Sequence, residues 1–275
     1  MALSVSAPAK LNRYLGVLGR RPDGFHEVEL VTTVLEGVAD LTDTLTWEEH
    51  PRLELRIEGP TAAGLVADET NLVLKAWRLL EAYAGRPCPA RLTLHKRIPH
   101  GAGLGGGSSD AAAALMLMNR ALALELPEEV LLACAAELGS DVPLFLLGGT
   151  VHGTGRGERV RPLAAEPLPP LLLVNPGLHT PTPAVYQALA KAGYPDTLPL
   201  ADPAQAPWRN DLEAAALAVC PALAEVKAAL REVGAEPLLC GSGSSWAGRF
   251  AGATARDTAA DRLRAAHPDW GLWRV

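Results

Sequence analysis

Between Pro99 and Asp110 the chain reads Pro-His-Gly-Ala-Gly-Leu-Gly-Gly-Gly-Ser-Ser-Asp, with five glycines in the seven positions 101–107. Glycine brings no side chain to pack, so a run this dense serves the backbone: it permits positive φ and lets another group approach the main chain closely. Ser108, Ser109 and Asp110 are good N-cap residues, and the stretch from Ala111 to Ala123 is rich in strong helix formers. Upstream, Arg91-Leu-Thr-Leu94 alternates as a strand does. Strand, glycine loop and helix N-terminus in that order aim free N–H groups and the positive end of a helix dipole at the loop. That is the physical recipe for holding a phosphate.

The kind of phosphate loop is narrowed by what is missing. A Walker loop ends in Gly-Lys-Ser/Thr, and no lysine follows these glycines. Gly101, Gly103 and Gly106 do spell G-x-G-x-x-G, with Glu125 at a tempting distance. In a dinucleotide fold that acid ends a second strand, whereas Glu125 follows uninterrupted helix and sits near Pro127. A flexible linker is the plain alternative, but linkers rarely stand between a strand and a strong helix. Two further residues could do chemistry. Lys10 lies at a strand end beside Asn12, although a lone lysine is usually a solvated charge. Asp141, in Leu138-Gly-Ser-Asp-Val-Pro-Leu-Phe145, is either a reactive carboxylate or the cap of a turn before an apolar run.

The elements that must position these groups are mixed. Leu3 to Ala9 alternates and opens the chain with a strand running into Pro8-Ala-Lys-Leu-Asn12; Tyr14 to Leu18 is a second, turned by Arg20-Arg-Pro-Asp-Gly24. Val28–Val38, Thr42–Glu48 and Leu53–Ile57 continue the β character. Asp68–Tyr83 reads as a capped amphipathic helix, and Pro127–Leu138 as another. Gly148–Gly157 is expected to be a turn and strand pair. Further on, Leu171–Val174 is a buried-strand run, Ala184–Ala192 and Leu212–Val233 are helical with a break at Pro221, and Leu238–Ala247 is a strand and glycine turn. Ala253–Ala266 is a last helix before a strand at Trp270–Val275. Strands mixed with helices without βαβ repetition indicate an α+β fold. Proline is dense between Arg161 and Pro170, which puts the expected boundary between domains 1–160 and 161–275 there.

Composition bounds the function. The 275 residues are 48% hydrophobic and 20% charged, an ordinary soluble profile with length for real cores. A formal charge of −6 argues against general binding to nucleic acid or to a membrane surface. Lys10, Arg20-Arg21 and Lys96-Arg97 are the local positive charges an anionic ligand would need. The four cysteines are scattered and read as reduced thiols of a cytoplasmic protein. No apolar run is long enough to span a membrane, and the first strand begins too near Met1 for a transit sequence.

The arrangement Pro-x-x-x-Gly-Leu-Gly-Gly-Gly-Ser-Ser-x-Ala-Ala resembles the second motif of the GHMP kinases. The tripled glycine followed by Ser-Ser is most similar to one branch, the 4-diphosphocytidyl-2-C-methylerythritol kinases of the non-mevalonate isoprenoid pathway. Pro8-Ala-Lys-Leu-Asn12 with Gly19-Arg-Arg-Pro-Asp-Gly-Phe-His26 resembles the first motif, Gly139-Ser-Asp-Val-Pro143 the segment carrying the catalytic aspartate, and Gly241-Ser-Gly-Ser-Ser245 the third motif. Leu239-Cys240 stands where the family usually has Met-Ser. The resemblance implies a two-domain GHMP kinase fold, with an N-terminal ribosomal-protein-S5-like domain and a C-terminal α/β-sandwich. It implies ATP as phosphoryl donor and Mg2+ carried on its phosphates, with no protein ligand assigned beyond what related kinases suggest for Ser109.

Residue by residue, the resemblance makes Lys10 and Asp141 catalytic. Pro99, Gly101, Gly103, Leu104, Gly105, Gly106, Gly107, Ser108 and Ser109 would wrap the phosphates of ATP. Asn71, Leu72 and Lys96 would line the adenine pocket, with His100 beside it. Asn12, Phe25, His26, Thr182 and Tyr186 would hold the acceptor, Phe25 and Tyr186 stacking on its cytosine. Asn210-Asp-Leu-Glu213 is read as structural. The alternatives are a homoserine or mevalonate kinase, diphosphomevalonate decarboxylase, or a nucleotide-binding protein without catalysis. The implied partners are small molecules, without nucleic acid or membrane, for a monomer or weak homodimer.

Overall fold

The chain passes from one sheet to another at Ala9, and the site is built around that crossing. The structure, a computed structural model, describes residues 3–164 and 167–275; part of the expected boundary at 161–170 lies outside them. The strands are β1 (Leu3–Pro8), β2 (Lys10–Arg20), β3 (His26–Val34), β4 (Thr42–Glu49), β5 (Glu54–Glu58), β6 (Ala90–His95), β7 (Thr150–Thr154), β8 (Arg159–Pro162), β9 (Leu171–Asn175), β10 (Arg209–Asn210), β11 (Glu236–Leu239), β12 (Trp246–Arg249) and β13 (Gly271–Arg274). The helices are α1 (Leu72–Ala84), α2 (Gly106–Ala121), α3 (Glu128–Leu138), α4 (Val142–Leu147), α5 (Thr182–Ala192), α6 (Glu213–Val219), α7 (Leu223–Glu232) and α8 (Ala253–Ala266). They build the α+β architecture expected from the sequence. Among the described residues no helix is long and apolar enough to cross a membrane.

Among the described residues three sheets carry the strands, in the orders β1-β4-β6-β5, β10-β2-β3-β7-β8 and β11-β12-β9-β13. The opening segment, read as one strand through Asn12, is two. Pro8 has no N–H to continue a ladder, and Ala9 instead bonds Leu41 and Leu35 through its own N–H and C=O. β1 therefore stays in the first sheet while β2 crosses to the second, which makes Lys10 the first residue of a new strand. β2 and β3 pair antiparallel from Lys10↔Val34 to Arg20↔His26, so one hairpin carries Lys10 at one end and His26 at the other.

α2 is buried on nearly every side, with Ala111 to Leu115, Leu117 and Met118 inaccessible. A run of alanines suits that place, because a helix apolar all round belongs in a core and small side chains let neighbours close on it. It packs against α1, α4, β1 and β4, and its N-terminus is thereby fixed to the first sheet. The later half of the chain is not independent of the earlier. β10 adds to β2 in parallel, Arg209 opposite Tyr14. Leu15, Val17, Val28 and Leu30 share one core with Leu172, Leu212 and Trp246.

Candidate active site

α2 begins at Gly106, earlier than the Ser108–Asp110 caps suggested. The reason is Gly105, whose φ of 75° is left-handed backbone and starts the helix without a side-chain cap. The N–H groups of Gly106, Gly107 and Ser108 are then first-turn donors without intrahelical partners, while the N–H of Ser109 already bonds the Gly105 carbonyl at 2.9 Å. These three residues line a cavity of about 1070 Å3 together with Pro99, Gly101 and Gly103. Two expected members of the loop do not line it. Leu104 is a core side chain whose carbonyl accepts from the Lys10 N–H at 3.0 Å. Ser109 points inward, and its hydroxyl is buried without a hydrogen-bond partner.

The glycine turn after β11 braces the loop from the other side. Ser245 donates its N–H to the Ala102 carbonyl at 3.1 Å, and a Cβ on Gly103 would run into the carbonyl oxygen of Cys240. Asn210 fixes that turn, its Nδ2 donating to Leu239 O at 2.8 Å and Gly241 O at 2.7 Å. Asp211 accepts from the Val17 N–H at 2.9 Å and the Thr197 hydroxyl at 2.7 Å. The Asn-Asp pair thus locks the later half of the chain to β2 and to the phosphate loop.

Lys10 projects into the cavity from the start of β2 and is only 4% exposed. Its Nζ donates to Asn12 Oδ1 at 2.5 Å and lies 3.4 Å from Asp141 Oδ2. Asn12 is held in turn by a bond from Nδ2 to the Thr32 hydroxyl at 2.6 Å. Asp141 stands at the N-cap position of α4 and makes no capping bond with its side chain. The carboxylate is therefore not spent on the helix; it faces Lys10 and remains one-third exposed to the cavity.

Lys96 lines the same cavity as Asn71 and Leu72, but its ammonium is turned to the protein. Its ammonium lies between Asp43 and Asp110, at 2.6 Å from the Asp110 carboxylate, and the residue is 3% exposed. A buried cation needs such partners, and once paired it is not available as a free charge for phosphate. Burial works against the Lys96 charge, but the two aspartates outweigh it and raise its pKa. Burial pushes the Asp110 carboxyl up to about 7, with Lys96 pulling it down and Asp43 adding to the rise. Since Asp43 also accepts from the Ile98 N–H at 2.9 Å, the cluster ties β4, the end of β6 and α2 into one floor beneath the loop. Arg21 is likewise committed, to Asp23 and Glu27.

Asn71 and Leu72 line the cavity where α1 begins, and Asn71 caps that helix by accepting from the Val73 N–H at 3.0 Å. At the far end Tyr186, from α5, meets His26 rather than Phe25. The two rings stack with centroids 4.5 Å apart at 29°. Burial, then the charge of Asp141, push the Tyr186 phenol pKa up, so the tyrosine is protonated and neutral. Phe25 is 51% exposed, with the Arg156 guanidinium 4.7 Å from its ring centroid. Thr182 shares a 2.7 Å hydrogen bond with the Ser242 hydroxyl, linking α5 to the glycine turn. Ser242, from the third motif, lines the cavity, and so does Arg156, which was not singled out in the sequence. Arg156 lies in the glycine hairpin between β7 and β8, where only charge in a Gly-rich turn could have drawn notice.

A glycine loop closing a helix N-terminus beside a lysine–aspartate pair, on three sheets in this order, defines a GHMP-type small-molecule kinase. Residues 71–149 match the GHMP kinases N terminal domain. A homoserine kinase from Cytophaga hutchinsonii shares the fold, with a TM-score of 0.69 at 18% identity over 100% of this chain and 93% of that one. A crystal structure of 4-(cytidine 5'-diphospho)-2C-methyl-D-erythritol kinase superposes with a TM-score of 0.79 at 38% identity, covering 99% of this chain and 98% of that chain. The 4-diphosphocytidyl-2-C-methyl-D-erythritol kinase of Cereibacter sphaeroides is 41% identical over 282 residues, 97% of this chain and 96% of its own. That of Paracoccus denitrificans is 42% identical over 275 residues, 96% of this chain and 93% of its own. The chain belongs to the 4-diphosphocytidyl-2-C-methyl-D-erythritol kinase family.

Proposed function

We infer that the protein transfers a phosphoryl group from ATP to the 2-hydroxyl of 4-diphosphocytidyl-2-C-methyl-D-erythritol, in the non-mevalonate isoprenoid pathway. The observation that carries the reading is the Lys10–Asp141 contact of 3.4 Å, set beside the free N–H groups of α2 in the same cavity. Phosphoryl transfer passes through a loose transition state, so a protein accelerates it mainly by positioning and by neutralising charge. Gly106, Gly107 and Ser108 hold the phosphates of ATP through their main-chain N–H groups and the helix dipole. Asp141 accepts the proton of the acceptor hydroxyl. Lys10 orients that carboxylate and stabilises the charge that develops on the transferred group.

Asn71 and Leu72 take the adenine end, and His26, Tyr186, Phe25, Asn12 and Thr182 the diphosphocytidyl acceptor. Magnesium favours oxygen donors and keeps most of its water, so it would ride on the phosphates of ATP, where its charge offsets theirs; the Ser109 hydroxyl, buried outside the cavity lining, would not hold it where it stands. On this reading residues 1–160 supply the nucleotide site and catalytic pair, and residues 161–275 contribute to acceptor binding. The protein works in the cytoplasm as a monomer or weak homodimer, with small molecules as its partners. The test is a coupled ADP-release assay with ATP and a panel of acceptors. Turnover of the diphosphocytidyl alcohol, and little of homoserine or mevalonate, is expected; efficient use of either of the latter would refute the assignment.

A further inference from the structure

A neutral imidazole has one nitrogen that donates and one that accepts, so a protein group that takes one nitrogen fixes what the other offers a ligand. His26 lines the cavity at its aromatic end, stacked on Tyr186. Burial, and then the charge of Arg20, hold its pKa below the usual histidine value, which keeps the ring neutral at physiological pH. Its Nε2 lies 3.1 Å from the hydroxyl of Tyr194, on the segment following α5. Neither side chain makes another hydrogen bond among the described residues. A phenol is a stronger acid than a neutral imidazole N–H, and among the described residues this one has no other acceptor for its proton. It donates to Nε2, which keeps the ring proton on Nδ1 and leaves Nδ1–H as the donor open to a ligand.

We propose that Tyr194 is a positioning residue for base recognition, locking His26 in its Nδ1–H tautomer and thereby selecting cytosine over uracil in the acceptor. The inference rests on the diphosphocytidyl acceptor proposed above. Cytosine presents an unprotonated N3 that accepts from Nδ1–H. Uracil carries a proton on N3, so two donors face each other and one polar group is left unpaired. Without the Tyr194 hydroxyl the ring proton is free to move to Nε2; Nδ1 then accepts from uracil as readily as it formerly donated to cytosine. Only the position of one proton changes.

The experiment compares wild type with Tyr194→Phe, which keeps the ring and removes the hydroxyl. kcat/KM is measured for the diphosphocytidyl acceptor and for its diphosphouridyl analogue, alongside nitrogen NMR of the His26 ring in protein labelled at histidine. The cytidine-to-uridine preference is expected to fall about tenfold or more in the variant, through the acceptor KM and not that of ATP. The NMR is expected to read an unprotonated Nε2 in wild type and a protonated one in the variant. Loss of packing alone would weaken both acceptors equally, and an unchanged preference overturns the inference, as does a wild-type ring protonated at Nε2. Wild-type protein that turns over neither acceptor would refute the proposed substrate and this inference with it, whereas turnover with an unaltered preference in the variant refutes the inference alone.

Discussion

Replacing Gly105 by alanine tests whether the glycine loop sets the position of the catalytic lysine. Gly105 has a φ of 75°, where an L-residue costs about 1–2 kcal/mol. In a chain of this size that lowers Tm by roughly 2–8 °C. The added Cβ would also stand 2.8 Å from Lys10 Cγ, 3.1 Å from Lys10 Cε and 2.9 Å from Phe145 Cζ. Carbon atoms rest at about 3.5–4.0 Å, so the lysine stem or the ring must move by about 1 Å. Phe145 is held in the core, and the lysine yields first. Misplacing a reacting group by about 1 Å can cost about 100-fold in rate, and kcat is expected to fall by that order. Gly85, the left-handed C-cap of α1 with φ of 64°, provides the comparison, because a Cβ there meets nothing within 4 Å. Gly85→Ala should share the thermal loss and keep its kcat. Scanning calorimetry and the coupled assay on both variants read the two effects separately. If Gly105→Ala melts as Gly85→Ala does and keeps kcat within about threefold of wild type, the loop does not position Lys10.

Two other outcomes follow from the site. Asp141→Asn keeps the shape and removes the base, so kcat should fall by about 100-fold or more with a modest change in the KM for ATP; steady-state kinetics at saturating ATP measure it, and near wild-type kcat would remove Asp141 from its role. For His26, burial and then Arg20 lower the pKa, so the neutral ring that binds the acceptor persists as pH falls to the ordinary histidine range and is lost only below it. The acid limb of kcat/KM for the acceptor is therefore expected below pH ~6.5, and Arg20→Gln should move it upward; a pH profile in which the two proteins coincide would show that Arg20 does not reach this ring.

Much of the architecture was legible because it is made of short-range chemistry. Ala253 to Ala266 forms a helix over the expected range, and the break at Pro221 does separate α6 from α7. Element boundaries are where local pattern and structure differ. Asp68 is a good cap residue and starts the first helix in the sequence pattern, but it turns the chain onto Thr70 instead and leaves capping to Asn71. Ser108 and Ser109 looked like caps for the same reason, although a left-handed glycine had already started α2. Alternation carries the opening strand through Asn12 in the sequence pattern, while in the structure Pro8 ends the ladder and the partner changes.

The sequence by itself determined the strand, glycine loop and helix that make the phosphate site, because free N–H groups at a helix start depend only on residues a few positions apart. It also held Lys10, Asp141, His26 and Tyr186 as separate candidates. Only the tertiary structure decided what each does with its neighbours. It left the Asp141 carboxylate free of its helix and brought it to Lys10, and it gave the Lys96 charge to Asp43 and Asp110 instead of to the nucleotide. It stacked Tyr186 on His26 and put the Tyr194 hydroxyl on the Nε2 of that ring. Those pairings join strands, helices and loops far apart along the chain. Their distances are set by how sheets and helices close over a shared core, which no local pattern of residue types encodes.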